Sequence, residues 1–453
     1  FVRSEKDLTD LLRWWDVGRK MVEWCNDGNI HEAFAEVFSE SWKLIFYQFI
    51  TKNIYIRRRR VWGRKKVNKY VKKNLKNYEF YKNYKAFEEI PIVDKKAMMS
   101  DFYKFNKYKL SKEEILPILH EAERTRNFTP KIKGLTIGLS SGTSGNSGIF
   151  LISEKEEIKW RGIMVAKLLP SIMKKEKIAF FLRANSNLYE TLKSKRIKFK
   201  FFDLFEDYKM NVKELDIYSP TMLVAPAQVL KLIATDIVQG VVKINPQKVI
   251  SIAEVLTKED KLFLESVFKV KIDQIYQSTE GFLAFTCKYG NLHLNEDAVL
   301  FEREYIDEKR FIPIITDFLR DSQAMVRYRL NDVLVEKTGK CDCGSVLSMI
   351  EEIEGREDDI FKFKNINGEI VNIFSDFLRR AVISTDLEIE EYQIVKEKNK
   401  IKIYVEPNKY YSNVEKNIEN LLNQNNIIDY ELLQVFEKNI DLTKKKRRVY
   451  VID

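Results

Sequence analysis

At 453 residues the chain has room for two or three domains, and with 45% hydrophobic and 12% aromatic residues it can fill large packed cores, which excludes an intrinsically disordered protein. Its formal charge of +11 comes from lysines spread over the whole length, densest at Arg57 to Arg60 with Lys65 and Lys66, and at Lys444 to Arg448; a solvated basic surface is the commoner source of such a charge, so nucleic acid is not expected as a partner. No apolar run of about 18 residues predicts a membrane span, and four unevenly spaced cysteines predict no disulfide framework, which suits a reducing cytoplasm. The chain opens on Phe1 with no secretory pattern, so its natural start is expected upstream.

In chain order, Leu8, Leu11, Leu12 and Trp15, then Phe34, Val37, Phe38, Trp42, Ile45 and Phe46, recur at helical spacing. Residues 1–66 therefore read as a helical lead-in. From about Leu135 short β-rich runs alternate with amphipathic helices, the signature of a mostly parallel sheet covered on both faces. Strands are predicted at 150–152, 177–182, 199–204, 222–225, 249–252 and 272–276. Ser153 with Glu156 predicts a capping-box helix start, and Thr257 with Asp260 predicts another. From His293 to Val335 strands follow one another without helices, predicting an antiparallel subdomain packed beside the sheet. Beyond a boundary near Gly355 come a hairpin turned at Asn367 and Gly368, a helix, a second hairpin near Asn399 and a helix from Ser412. The fold class is thus α/β, with a large domain over 67–354 and a small α+β domain over 355–453.

Between two predicted strands lies Ser140-Ser141-Gly142-Thr143-Ser144-Gly145-Asn146-Ser147-Gly148. Glycines let backbone N–H groups approach oxyanions closely, and hydroxyls add donors, so the composition suits phosphate. A flexible Ser/Gly linker is the alternative reading, although such a linker rarely sits tightly between strands inside a domain. No Gly-Lys-Ser/Thr follows at the spacing of a Walker loop, which disfavours a P-loop kinase or GTPase.

Further motifs follow: Ser251-Ile252-Ala253-Glu254, Tyr276-Gln277-Ser278-Thr279-Glu280-Gly281, Arg327-Tyr328-Arg329-Leu330-Asn331-Asp332 and Gly355-Arg356-Glu357-Asp358-Asp359. In this order, and over roughly Lys66 to the C terminus, the chain resembles the adenylate-forming superfamily, most closely its phenylacetate-CoA ligase and capsule-biosynthesis branch. The resemblance implies ATP-dependent activation of a small-molecule carboxylate to an acyl-adenylate, pyrophosphate release, and transfer to coenzyme A, a carrier-protein thiol or an amine. It implies a magnesium contact at Glu280, an α-phosphate contact at Thr279, an adenine face at Tyr276 with Glu254 in the neighbouring motif, a ribose-binding carboxylate at Asp332, and Arg356 near an interdomain hinge. The family's mobile C-terminal domain carries a catalytic lysine near the chain end. Lys445 fits best of three adjacent lysines, because an arginine and a valine follow at the family's spacing; the family's preceding glycine is absent. The lysine that many acyl-CoA synthetases carry in the phosphate loop is also absent here, as it often is in the phenylacetate-type branch.

Cys287 and His293 flank Gly290, and Cys341-Asp342-Cys343-Gly344 lies about fifty residues on. Three cysteines and a histidine make a closed tetrahedral set, the pattern of a structural zinc; three free thiols and a surface histidine are the alternative. Cys25, His31 and His120 are read as ordinary core or surface residues. Arg183, after the strand ending at Leu182, faces either an anionic substrate or a local carboxylate, and Ala225-Pro226-Ala227-Gln228 is a strand end suited to an acyl pocket. Two other classes stand beside the enzyme: a catalytically silent ATP-binding scaffold and a basic nucleic-acid-binding protein, for which steeply salt-dependent binding would be expected.

Overall fold

The computed structural model describes residues 64–139, 148–169, 174–182, 196–383, 391–437 and 449–452, with residues 185, 189, 192, 193, 385 and 389. Most of the expected helical lead-in, with Cys25 and His31, lies outside the described residues, as do Ser140 to Ser147, Arg183 and the tail lysines including Lys445.

Three helices open the described chain: α1 (Arg64–Asn74), α2 (Lys95–Ser100) and α3 (Lys112–Thr125). Strands β1 (Lys131–Ile132), β2 (Leu135–Leu139) and β3 (Ile149–Ile152) form a small antiparallel sheet. Its Leu135, Ile137, Ile149 and Leu151 bury against Ile115 and Leu119 of α3. β2 and β3 pair from Thr136↔Ile152 to Leu139↔Ile149, so they form the stem of a hairpin whose connection is the hydroxyl-rich segment. Helix α4 (Glu154–Leu168) starts at the expected capping box, where the Ser153 N–H donates to Glu156 Oε2 at 2.7 Å.

The parallel part runs β4 (Glu176–Leu182), β5 (Ile197–Asp203), α5 (Tyr208–Tyr218), β6 (Met222–Ala225), α6 (Ala227–Val238), β7 (Lys248–Ser251), α7 (Lys258–Phe268) and β8 (Ile272–Ser278). Spatially the strands lie in the order β5-β4-β6-β7-β8, every neighbouring pair parallel. The inner strands β4 and β6 are buried on both faces, which is why Ile178 to Leu182 and Met222 to Ala225 read as unbroken apolar runs. Ile178 and Phe180 of β4 join the core that contains Met164 and Leu168 of α4, while Ala179 and Phe181 join the one that contains Leu215, Leu230 and Leu264 of α5, α6 and α7.

β8 is the turning point. β9 (Gly281–Thr286) folds back on it, and β10 (Leu292–Leu294), β11 (Val299–Tyr305), β12 (Arg310–Asp317), β13 (Tyr328–Arg329), β14 (Asp332–Lys337) and β15 (Met349–Arg356) all pair antiparallel. The antiparallel strands therefore lie beside the parallel ones edge to edge, and a single 12-stranded sheet results.

After residue 360 the chain builds a separate buried cluster from β16 (Phe361–Lys364), β17 (Ile370–Ile373), α8 (Ser375–Ile383), β18 (Glu391–Glu397), β19 (Lys400–Glu406) and α9 (Tyr411–Gln424). Both expected hairpins and both helices are present. Strands β20 (Glu431–Gln434) and β21 (Val449–Ile452) add parallel to β19 and β18, an extension the hairpin pattern did not foretell.

Candidate active site

The carboxyl ends of β7 and β8 open onto a cavity of about 1200 Å³, whose lining includes Glu254, Tyr276, Thr279, Glu280, Asp332 and Arg356. In open α/β sheets this is where ligands bind. Two side-chain groups converge there.

The first is built on three strands. Asp332 begins β14 and Arg356 ends β15, and the two are cross-strand partners with Arg356 Nε 4.0 Å from Asp332 Oδ1. The Tyr276 hydroxyl, from β8, donates to Asp332 Oδ2. Burial first, and the Asp332 carboxylate second, push the Tyr276 phenol well above its ordinary range, so it remains a neutral donor.

The second group sits on the β8–β9 turn. Ser278 pairs with Gly281, leaving Thr279 and Glu280 as a two-residue hairpin tip, next to a register shift between Tyr276 and Gln277. Glu280 accepts one hydrogen bond on each oxygen, from Thr279 Oγ1 at 2.8 Å and from Tyr328 Oη at 3.2 Å. Burial and then Glu280 raise the Tyr328 phenol, so it too stays protonated. Gly281 leaves room for Asp317: a Cβ there would stand 2.8 Å from Asp317 Oδ2 and push that side chain aside.

Three contributors escaped the sequence reading. Tyr328 lay inside a quoted motif read only for Asp332. Arg320 is buried and donates through Nη1 to the Thr279 carbonyl at 3.2 Å and through Nη2 to the Leu151 carbonyl at 3.4 Å. Lys95, in the first turn of α2, lines the cavity; burial lowers its pKa, opposed by the nearby Glu280 charge. Beneath the turn, burial pushes the Asp317 carboxyl up to about 6, with the Arg320 charge opposing.

Glu254 stands at the cavity wall with a further duty. Its Oε2 accepts the Gln228 N–H at 3.0 Å in the first turn of α6, where a carboxylate also complements the helix dipole. Ala227 and Gln228 line the cavity beside it.

Cys287, His293, Cys341 and Cys343 come together with their ligand atoms all within 4.8 Å of one another. Cys287 and Cys341 sulfurs are 3.7 Å apart, and Cys343 Sγ lies 3.5 Å from His293 Nε2. Four tetrahedral ligands about 2.3 Å from zinc stand about 3.8 Å apart, so the set fits that ion. His293 Nδ1 is 3.0 Å from the Leu347 carbonyl, which fixes the tautomer with Nε2 free to ligate. Asn291 Nδ2 donates to Cys341 Sγ at 3.1 Å and the Ser345 N–H to Cys343 Sγ at 3.4 Å, contacts that favour thiolates. None of the four lines the cavity. His120 is exposed on α3.

No family model and no curated protein matches the chain. Solved structures do. It is similar to 2-hydroxyisobutyryl-CoA ligase in the postadenylation state in complex with 2-HIB-AMP, at 14% identity and TM-score 0.56 over 94% of this chain and 90% of that one. The same ligase in complex with R3-HIB-AMP gives TM-score 0.57 at 14% identity over the same shares, 94% and 90%. The likeness is one of fold: this chain has the α/β architecture of the adenylate-forming ligases. Among the described residues, no helix is long and apolar enough to cross a membrane.

Proposed function

We propose that this chain activates a carboxylate with MgATP. A carboxylate oxygen attacks the α-phosphorus, the bond to the bridging oxygen breaks, pyrophosphate leaves and an acyl-adenylate remains in the cavity. One observation carries the reading: Tyr276–Asp332–Arg356 and Thr279–Glu280–Tyr328 face one cavity at the sheet's turning point, in a fold shared with a CoA ligase.

In this reading Asp332 accepts from the ribose hydroxyls, the Tyr276 ring backs the adenine, and Thr279 meets the α-phosphate. Glu280 would hold magnesium, a hard cation that neutralises phosphate charge when bound. The Ser140 to Gly145 segment would cradle the outer phosphates at the end of the β2–β3 stem, and Lys95 adds a cation beside them. Lys445 precedes the cavity-lining Val449 by four residues, within about 14 Å of chain reach. We divide the chain at 355 into a large catalytic domain and a small mobile one, place it in the phenylacetate-CoA ligase and capsule-biosynthesis branch on its motifs, and expect cytoplasmic action on a thiol acceptor (coenzyme A or a carrier protein) or an amine. The Cys287, His293, Cys341 and Cys343 set takes a structural zinc that staples two loops of the antiparallel strands.

The test is incubation with Mg-ATP, hydroxylamine and pools of aryl, fatty and amino carboxylates, reading pyrophosphate and hydroxamate mass. Substrate-dependent release that Glu280→Gln abolishes is expected. Unchanged activity in that variant would overturn the magnesium assignment, and ATP binding without release for any acid would overturn the enzyme reading.

A further inference from the structure

One buried charge at the cavity is left unexplained by the roles of Tyr276, Thr279, Glu280 and Asp332. Arg320 is only 8% exposed and lines the cavity. Its guanidinium donates to the Thr279 carbonyl at 3.2 Å, to the Leu151 carbonyl at 3.4 Å and to Gln323 Oε1 at 3.4 Å, and each of these acceptors is neutral. Nε is buried without a partner, and the side chain makes no ion pair among the described residues. Asp317 is the carboxylate that feels the charge most, yet it is a poor counter-ion. Arg320 draws its carboxyl down, but burial prevails and the group titrates at about 6, above its ordinary 3.8. A carboxylate closely paired with a guanidinium is driven the other way.

Packing alone does not call for this charge. Gln323, in the same segment and fully buried, ties itself to β3 with a neutral amide, at the Leu151 N–H and the Ile149 carbonyl. A neutral donor could hold the Thr279 carbonyl in the same way. A buried cation surrounded by carbonyls costs free energy that an amide does not, unless an anion arrives to pair with it. The place where Arg320 is anchored says where that anion comes. Nη1 holds the backbone of Thr279, at the tip of the β8–β9 turn, and Thr279 is the residue that meets the α-phosphate in the adenylation reading.

Resting on that reading, we infer that Arg320 is a positioning residue that also supplies positive charge beneath the α-phosphate: it fixes the Thr279–Glu280 tip through the Thr279 carbonyl and gains its close counter-ion when the nucleotide binds. A cation fixed at that place serves twice. It draws the phosphate to the turn, and it meets the charge on the phosphoryl oxygens as the acid attacks, with no reorganisation of the protein at that moment.

The experiment titrates adenosine, AMP and MgATP calorimetrically into wild type, Arg320→Gln and Arg320→Lys, with circular dichroism as the check on folding. Glutamine keeps a neutral donor for the carbonyls and removes the charge, whereas lysine keeps the charge and gives up the fork. In Arg320→Gln the preference for AMP over adenosine should fall about tenfold or more, while Kd for adenosine and the preference for MgATP over AMP hold within about threefold. Arg320→Lys should keep the AMP preference. A merely structural tie would weaken adenosine and AMP alike and leave their ratio unchanged in Arg320→Gln, and an unchanged ratio overturns the inference while the adenylation reading stands. A fall confined to MgATP over AMP would put the charge under the outer phosphates and overturns it as well. Should Arg320→Gln fail to fold, Arg320→Lys decides: a retained AMP preference upholds the charge and a lost one refutes it. Wild-type protein that binds neither AMP nor MgATP, and releases no pyrophosphate with any acid, overturns the adenylation reading and the inference together.

Discussion

Asp317 offers a quantitative test of how the site is supported. Its carboxylate is buried beneath Gly281, accepts the Leu319 N–H at 2.8 Å and titrates at about 6 against an ordinary 3.8. The folded protein thus binds this proton more tightly than the unfolded chain. The associated stability is fully present below about pH 3.8 and is lost as pH rises through about 6. A shift of about two units corresponds to about 3 kcal/mol, the cost of holding the ionised group in place at pH 7. Asp317→Asn keeps the acceptor for Leu319 and removes the charge. Relative to wild type it should be about neutral at pH 4 and more stable by up to about 3 kcal/mol at pH 7. Urea unfolding of both proteins between pH 4 and 8 reads this directly. If the variant is less stable by the same amount at every pH, the Asp317 charge is paired well enough with Arg320 to repay its burial, and the reasoning is refuted.

Tyr328→Phe removes one hydrogen bond to the Glu280 carboxylate, a charge-assisted contact of about 1.5–3 kcal/mol, so kcat/KM for MgATP should fall by roughly 10- to 150-fold with the unfolding midpoint little changed; steady-state kinetics beside thermal melts checks both. Metal analysis of freshly purified protein should find one zinc per chain, and Cys343→Ser should lose it and lower Tm by several degrees; protein that is folded and metal-free would remove the zinc claim. Gly138→Ala places a Cβ on the Phe150 ring across the β2–β3 stem, so KM for MgATP should rise several-fold; an unchanged KM for MgATP would count against the stem as the support of a phosphate loop.

What the sequence made legible was local. Ser153 and Glu156 sit three residues apart, and Asn367-Gly368 turns a hairpin on its own, so the α4 start and the β16–β17 turn could be read directly. Thr279 and Glu280 were found because their motif is contiguous. Arg320 was not, since its partners Leu151 and Thr279 are distant in the chain and a buried arginine looks like any other in the composition. Lys95 was hidden among 78 basic residues, its meaning arising only when α2 is laid against Glu280. Glu254 shows the converse: a motif marked it for the nucleotide, while its bond to Gln228 exists only because β7 ends beside the start of α6.

The same long-range contacts explain how a site beside a hydroxyl-rich loop can be held in register. Gln323, fully buried, accepts the Leu151 N–H at 3.0 Å and donates to the Ile149 carbonyl at 3.1 Å, so its amide pairs with β3 much as a neighbouring strand would. Glu156 accepts the Asp321 and Ser322 N–H groups at 2.7 and 3.0 Å, tying the α4 start to the same segment. Arg320 carries the connection to the Thr279 carbonyl. Residues 317–323 therefore bind the β2–β3 stem, the start of α4 and the Thr279–Glu280 turn into one buried polar unit. Such a fixed stem matters because positioning a reacting group depends on the geometry of its support more than on the number of its contacts.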